Sequence, residues 1–516
     1  MDEAEPATGV KAKLGLSGVT MNAMALMAPG AYLWITYQLQ AAATAPDGTS
    51  VANDIWPGIA CALILASLTA YSTAQLARRY PQAGFGSCYY FAEQTFLDRA
   101  DERHRRFARL AKLVTGWAAH LFYWVYPGCM VAFATTLVGY ICKAATGVTL
   151  PAAVLVVVAV ILAMLVGQIA VRGVSGSTMT TTIINVVQLS ALAFFGGLAI
   201  VYRLTNPDAA VAWTFHDAWD VVTPHSVSGV MIQATLAIML LVGFESCTAF
   251  GAETKDPQRT IPRAVILSLA VQGCLVYLFE YFAASFMMSE KVAAVTAGGD
   301  VVTGMAAAAV SRAPIGDLAV LVGDGVLGGI GFGLMVSMGV AVLLAILGTT
   351  LSCINTAVRV SYAMAQDREM PALLGAMHGR FATPHRAIWM LVGVSSAIAA
   401  LGVQSVVGLT GITLASNLGT FVLYGLTCLW TIVAFAGHED RSILKHGIVP
   451  GLGLLANVAM LGSILRLYVF GNADARMEAY ICLAIAGTWA VLSGIYVRVT
   501  SLQQGRDLIA APRRAA

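Results

Sequence analysis

The sequence predicts an all-α polytopic membrane protein with about twelve transmembrane helices, and three observations lead there. The first is composition: 58% of the 516 residues are hydrophobic and only 11% are charged. Soluble domains carry about 25% charged residues. Charge holds a surface in water, so lipid must cover most of this chain. The second is the recurrence, from end to end, of apolar runs of about twenty residues, the length that crosses a hydrocarbon core of roughly 30 Å. The third is the placement of Lys and Arg, which favours an even number of spans.

In chain order the expected spans are 14–40, 53–77, 112–142, 152–171 and 177–202, then 227–252, 262–287, 325–358, 386–403 and 406–436, and finally 448–470 and 478–499. Asp2, Glu3 and Glu5 make an acidic start. A cleavable signal peptide wants a basic one, so the first run is expected to stay as a helix. With residues 1–13 in the cytoplasm, all but six of the 30 basic residues fall on that side; Lys143, Arg203, Lys291, Arg312, Arg466 and Arg476 are the exceptions. Basic loops stay cytoplasmic, so both termini, including 500–516, are expected inside the cell (inner) membrane. Arg103, Arg105, Arg106 and Arg109 form the strongest basic run. It reads as a topogenic loop or as a surface helix on anionic lipid. Two outer loops are long: 203–226, with Trp213, Trp219 and three aspartates, and the Ala- and Gly-rich 288–324. The nine cysteines, Cys61, Cys129, Cys274, Cys353 and Cys482 among them, form no C-x-x-C pair. They read as small buried hydrophobes. No cofactor, metal or nucleic-acid partner is expected; the lipid bilayer is.

Two spans carry interruptions. Lipid tolerates broken helices only beside protein or a water-filled cavity, so breaks point to function. The first span holds Ala28, Pro29, Gly30 and Ala31 at its middle, and the sixth holds Val242, Gly243, Phe244, Glu245 and Ser246. Proline removes a helix hydrogen bond and glycine relaxes the backbone. These positions correspond if the first ten spans are two halves of five, and matched breaks are the best sequence pointer to a transporter's site. Kinking or packing is the competing explanation, and Pro127-Gly128 in the third span shows that such pairs occur elsewhere. Free N–H groups at one half-helix favour a carboxylate, and free C=O groups at the other favour an ammonium. Two facing breaks therefore suit a zwitterion such as an amino acid.

Glu245 is the outstanding ionisable residue, since a carboxylate at a helix centre costs roughly 2.5–3.5 kcal/mol on insertion scales. It reads as a gate, proton relay or substrate contact, or as a neutral acid bonded between helices. Glu280 in the seventh span raises the same question. Trp117, His120 and Trp124 share one face of the third span at i, i+3 and i+4 spacing, either lining a cavity or packing. Thr349, Thr350 and Ser352 offer hydroxyl oxygens to a sodium ion or to their own helix. Ser416 and Asn417 add polar groups in the tenth span.

Three stretches resemble the amino acid–polyamine–organocation (APC) superfamily: Leu76 to Gly84 with Tyr89 and Tyr90; Gly243 to Ser246 continuing through Ala252 to Ala264; and Asn355 to Arg359 with Tyr362 to Asp367, Met370 and Pro371. Gly116-Trp117 also fits the start of the superfamily's third helix. The resemblance covers roughly 14–436 and is most specific at the sixth-helix signature. It implies a leucine-transporter-type fold: inverted five-helix repeats at 14–202 and 227–436, joined by the external loop, with peripheral helices in 437–499. It implies an alternating-access carrier, symporter or exchanger, for amino acids or related amines, not an enzyme. It places the substrate at the two breaks, and Glu245 at the gating glutamate of arginine-type exchangers. Met239 stands where those exchangers tend to have Trp, which suggests a neutral or apolar substrate. Two features depart from the pattern. The usual Gly-Ser-Gly-like turn is Ala28-Pro29-Gly30, and 177–202 contains no Lys of the kind proton-coupled members often carry there. A polyamine carrier and a non-transporting sensor are the rival readings. The coupled ion, proton or sodium, and the oligomeric state, a homodimer being one option, are left open.

Overall fold

The computed structural model describes residues 14–27, 33–81, 88–98, 107–172, 177–206, 215–288, 291–296, 298–381, 383–505 and 508. The predicted break at Ala28, Pro29, Gly30 and Ala31 lies outside the described residues, as do Arg103, Arg105, Arg106 and Trp213. On either side of that break run α1 (Leu16–Met27) and α2 (Leu33–Ala42). Next come α3 (Ile55–Arg79), the short α4 (Cys88–Leu97), α5 (Ala108–Thr146), α6 (Ala152–Arg172) and α7 (Ser177–Thr205). A surface helix α8 (Phe215–Val222) precedes α9 (Val227–Leu241), the 3-10 segment Phe244–Glu253 and α10 (Pro257–Leu269). A π-helical turn at Ala270–Tyr277 joins α10 to α11 (Leu278–Met287). After a β-hairpin come α12 (Gly304–Val310), α13 (Pro314–Val326), α14 (Gly331–Gln366), α15 (His385–Gly402), α16 (Val406–Phe435), α17 (Val449–Phe470) and α18 (Ala473–Gln504).

Among the described residues, eleven helical stretches are long and apolar enough to cross a bilayer, and Leu16–Met27 is a shorter apolar helix. The polytopic all-α class is therefore what the composition required. Details differ where tertiary contacts override hydropathy. The eighth span was expected to open at 325; the chain instead ends α13 at Val326, turns at Gly328 and Gly329 with φ of 71° and 94°, and restarts at Gly331. Positive φ is cheap only for glycine, which is why the turn falls there. Within 288–324 the strands Ala293–Val295 and Val301–Thr303 pair antiparallel ahead of α12 and α13. Pro127-Gly128 does not break α5, which runs unbroken for 39 residues; the missing side chain at Gly128 instead admits Ile398.

The sixth element does break. Its first half starts at a strong cap: Ser226 Oγ accepts from Gly229 N. Buried Asp54 accepts from His225 N at 2.7 Å and from Ser226 Oγ at 3.1 Å. Gln233 Nε2 then donates to Gln40 O at 2.7 Å and Val51 O at 3.0 Å, fixing α9 against the end of α2. At the other end Val242 is extended and Gly243 has φ 127°, a conformation open essentially to glycine alone. Leu26 of α1 packs so closely there that a Cβ on Gly243 would sit 3.0 Å from its backbone carbon. Both constraints act on one residue. Gly243→Ala is accordingly expected to destabilise the fold by about 1–3 kcal/mol, read as a lowered melting temperature in detergent; an unchanged melting curve would show that the break relaxes freely.

Candidate substrate and gating site

An α-helix leaves its last four carbonyls without intrahelical donors, and in an apolar interior each needs another partner. At the end of α1 every one has a side-chain donor from elsewhere. Met24 O accepts from Gln272 Nε2 at 2.8 Å, and Ala25 O from Thr349 Oγ1 at 2.8 Å. Leu26 O accepts from Tyr126 OH at 3.3 Å, and Met27 O from Tyr277 OH at 2.8 Å. One turn earlier Asn185 Nδ2 donates to Met21 O at 2.9 Å. Gln272 and Tyr277 both lie in the π-helical turn. Widened turns of this kind occur often at functional sites, and here the widening carries two donors to one helix end. The result is a ring of carbonyls, a negative pole of helix dipole, fixed beside the Gly243 break.

Across that break sits Glu245. Its carboxylate accepts from Tyr123 OH at 3.0 Å, Tyr424 OH at 2.9 Å and Gly243 N at 3.1 Å. Tyr123 belongs to α5 and Tyr424 to α16, so one side chain fastens the broken element to two continuous helices. The Phe244 ring stacks on Tyr424 with centroids 5.2 Å apart. Met239, Val242 and Phe244 are fully buried and Glu245 is 1% exposed, so this part of the break is closed to solvent and apolar apart from the carboxylate cluster. Sequence reading singled out Glu245 but neither tyrosine, because a tyrosine in an apolar helix looks the same whether it packs or donates.

The remaining candidates are placed as follows. Asn417 Nδ2 donates to Thr235 O at 2.8 Å, tying α16 to α9. The adjacent Ser416 Oγ is buried without a partner among the described residues, as is Trp34 Nε1 in the first turn of α2. Trp34 was not singled out in the sequence. Thr350 Oγ1 bonds Ile346 O of its own helix at 2.7 Å, and Ser352 is only partly buried. Trp117 and His120 are not brought to the Glu245 cluster. His120 Nδ1 lies 2.8 Å from Gly116 O, which can only accept, so that nitrogen carries the proton, and Nε2 lies 2.9 Å from Ser361 Oγ. Trp117 packs against Trp489 and Tyr496 of α18. Their stripe faces α14 and the last helix. Glu280 is buried, with Oε2 unpartnered among the described residues and its carboxylate oxygens against Gly196 of α7. No group of His, Cys, Asp and Glu suited to a metal ion occurs among the described residues.

Two clusters lie at the other end of these helices. Arg359 bonds Glu253 at 3.0 Å and stands over the Phe250 ring. The backbone of Leu14 donates to Glu253 O and accepts from Lys255 N, so the chain just before α1 pairs with the end of the 3-10 segment. Nearby, Lys112 bonds Glu93 at 2.6 Å and Asp367 at 2.8 Å, while Tyr89 OH donates to Asp367 at 3.0 Å and to Glu369. Glu369 follows α14 and its side chain is fully buried. That burial pushes its carboxyl up to about 7, opposed by the Tyr89 hydrogen bond and the Lys112 charge.

Comparison with known proteins agrees with this architecture. The amino acid permease family profile matches residues 14–470. The chain is 25% identical to the methylthioribose transporter of Bacillus subtilis over 80% of each chain. It is 26% identical to the branched-chain amino acid permease BcaP of the same organism over 58% of this chain and 56% of that one. It is 25% identical to the low-affinity putrescine importer PlaP of Escherichia coli over 43% and 44%. The chain belongs to the amino acid permease family: it is an integral membrane protein of a family of small-molecule transporters.

Two outcomes are expected from these contacts. Tyr424→Phe removes a hydrogen bond to a buried carboxylate and should cost about 1.5–3 kcal/mol, measured by denaturation in detergent, with Tyr123→Phe similar; a neutral result for both would show that Glu245 does not rely on them. At the second cluster, a carboxyl raised above its usual 4.5 to about 7 favours the protonated folded form. Its penalty is absent below pH 4.5 and grows as pH rises toward 7. Glu369→Gln should therefore match wild-type stability at the acid end and exceed it above pH 7; a pH-independent difference in melting temperature would contradict this.

Proposed function

We propose that this permease carries a neutral, apolar amino acid or a related amine across the cell (inner) membrane by alternating access, with both termini cytoplasmic. The observation that carries the reading is the junction of the α1 carbonyl ring with the Gly243 break. Each capped carbonyl keeps a second lone pair, so the ring can receive an ammonium. The first N–H groups of α2, across residues 28–31, suit the carboxylate. Met239, Val242 and Phe244 supply apolar surface to the side chain, and Trp34 Nε1 and Ser416 Oγ, without partners among the described residues, are groups that a substrate can engage. On this reading residues 14–202 and 227–436 are the two inverted repeats of a twelve-helix protein, and the helices in 437–499 lie outside them.

Glu245 acts as the gate in this scheme. Releasing Tyr123 or Tyr424 would free the broken element to move against α5 or α16. Opening at the Glu253 end would also have to part Arg359 from Glu253 and Leu14 from Lys255. Glu245 and the buried Glu280 are the proton-carrying candidates for a coupled mechanism. The Thr349 and Thr350 hydroxyls donate to carbonyl oxygens, and a sodium site with Ser352 would use the lone pairs those hydroxyls keep. A diamine carrier is the second reading, favoured by the buried Glu280 carboxyl, whose Oε2 has no partner among the described residues, and by the resemblance to a putrescine importer.

A thermal-shift screen of the purified protein against the amino acids and putrescine tests the substrate class, since a ligand at one hundred times its Kd stabilises the fold by about 2.7 kcal/mol. A branched-chain or other apolar amino acid should stabilise most; stabilisation by putrescine alone would move the assignment to the diamine. Flux of the stabilising compound into liposomes should then follow, and binding without flux would make the protein a sensor. Glu245→Gln should flatten the pH dependence of that flux if Glu245 carries the proton, and an unaltered profile would remove it from that role.

A further inference from the structure

The last turn of α3 and the first two turns of α10 enclose a recess of about 480 Å³ that the transport scheme does not use. Its lining is Arg78, Arg259 and Arg263, with Gln258 and Pro262 between them. Arg78 and Arg263 make no ion pair among the described residues. Arg259 has one carboxylate neighbour, Asp256, at 3.9 Å, with both side chains more than half exposed, a contact of little strength. Among the described residues, three guanidinium groups thus share one recess almost without counter-charge. The N-terminus of α10, with Pro257 at its first position, adds the positive pole of a helix to the same place. Planar guanidinium forks match phosphate oxygens in pairs. The chemistry asked for is therefore a phosphate anion.

What lies beside the recess distinguishes a lipid headgroup from free phosphate. On α10 the positions 259, 263 and 266 fall on one face, where Ile266 is exposed, and Ala270 and Cys274 of the π-helical turn that follows are exposed as well. On α3, Ile64 is exposed about four helical turns before Arg78, on the same face. Both helices belong to stretches long and apolar enough to cross a bilayer. The guanidiniums therefore head an apolar surface facing the hydrocarbon, with charge at one end and alkyl groups below it. A phosphate carried on acyl chains fits both parts at once; inorganic phosphate uses only the first. We propose that Arg78, Arg259 and Arg263 form a binding site for the phosphate headgroup of an anionic membrane lipid. Basic pockets between membrane helices on the cytoplasmic side are a recognised form of such sites, and all three arginines fall on the side that the charge bias assigns to the cytoplasm. The loop Thr254–Asp256 joins α10 to the 3-10 segment bearing Glu245, so an occupied site would brace the moving element against α3.

The test uses the full-length protein, delipidated in detergent, with phosphatidylglycerol, phosphatidylcholine and inorganic phosphate as probes. Melting temperature and lipid retention in native mass spectra are the readouts. Phosphatidylglycerol should be retained and should raise the melting temperature more than phosphatidylcholine does. Retention should weaken about fivefold for each arginine removed, first in Arg78→Gln, whose exposed, unpaired side chain is dispensable for folding, then in the combination with Arg259→Gln and Arg263→Gln. The corresponding triple Lys variant keeps the charge and should keep the preference for anionic lipid. Retention in the triple Gln variant equal to wild type overturns the proposal. So does inorganic phosphate stabilising the wild type as strongly as phosphatidylglycerol, which would make the recess a free-anion site.

Discussion

A backbone that stops being helical inside a membrane exposes polar groups that neither water nor lipid can satisfy. The interior of this protein is organised around meeting that constraint at one place, the end of α1. Gln272, Thr349, Tyr126 and Tyr277 come from three different parts of the chain to bond its four terminal carbonyls. The donors could not converge if the helices bearing them were packed otherwise, and the π-helical turn at Ala270–Tyr277 exists where two of them are delivered. The same four bonds leave a polarised helix end next to the interruption at Gly243.

The second interruption is held differently. Gly243 allows the turn and presses against Leu26, and Glu245 supplies the fastening. A buried carboxylate is costly, yet a cluster of three donors offsets that cost and makes it specific to one arrangement of α5, α9 and α16. Breaking one tyrosine contact would leave the charge short of a donor, so the contacts must change together.

Charge elsewhere is kept to the helix ends. Lys112 with Glu93 and Asp367, Arg359 with Glu253, and Arg203 with Asp217 all sit near the termini of their helices. There water or headgroups can reach part of each group, so pairing is less expensive than at depth. Glu280 differs: it is a buried carboxyl at depth, its oxygens pack beside Gly196, and its Oε2 has no hydrogen-bond partner among the described residues.

The sequence by itself determined the class of the protein, the run of spanning helices and the position of the Gly243 break, because hydropathy, turn residues and charge bias are local signals. Glu245 was legible for the same reason: a lone acid in an apolar run is visible without knowing its neighbours. Its partners Tyr123 and Tyr424 were not, since they lie 122 and 179 residues away and a tyrosine carries no mark of what its hydroxyl will meet. The donors to the α1 carbonyls were hidden likewise; Thr349 drew attention as an ion ligand, and Gln272 and Tyr277 drew none. The Trp117 and His120 stripe had the right spacing, but a stripe does not say which helix it faces, and packing turned it toward α14 and α18. Local chemistry decides which residues are unusual in lipid; only tertiary structure decides which of them meet, because the contacts from Tyr123, Tyr424, Gln272 and Thr349 join segments that the chain keeps far apart.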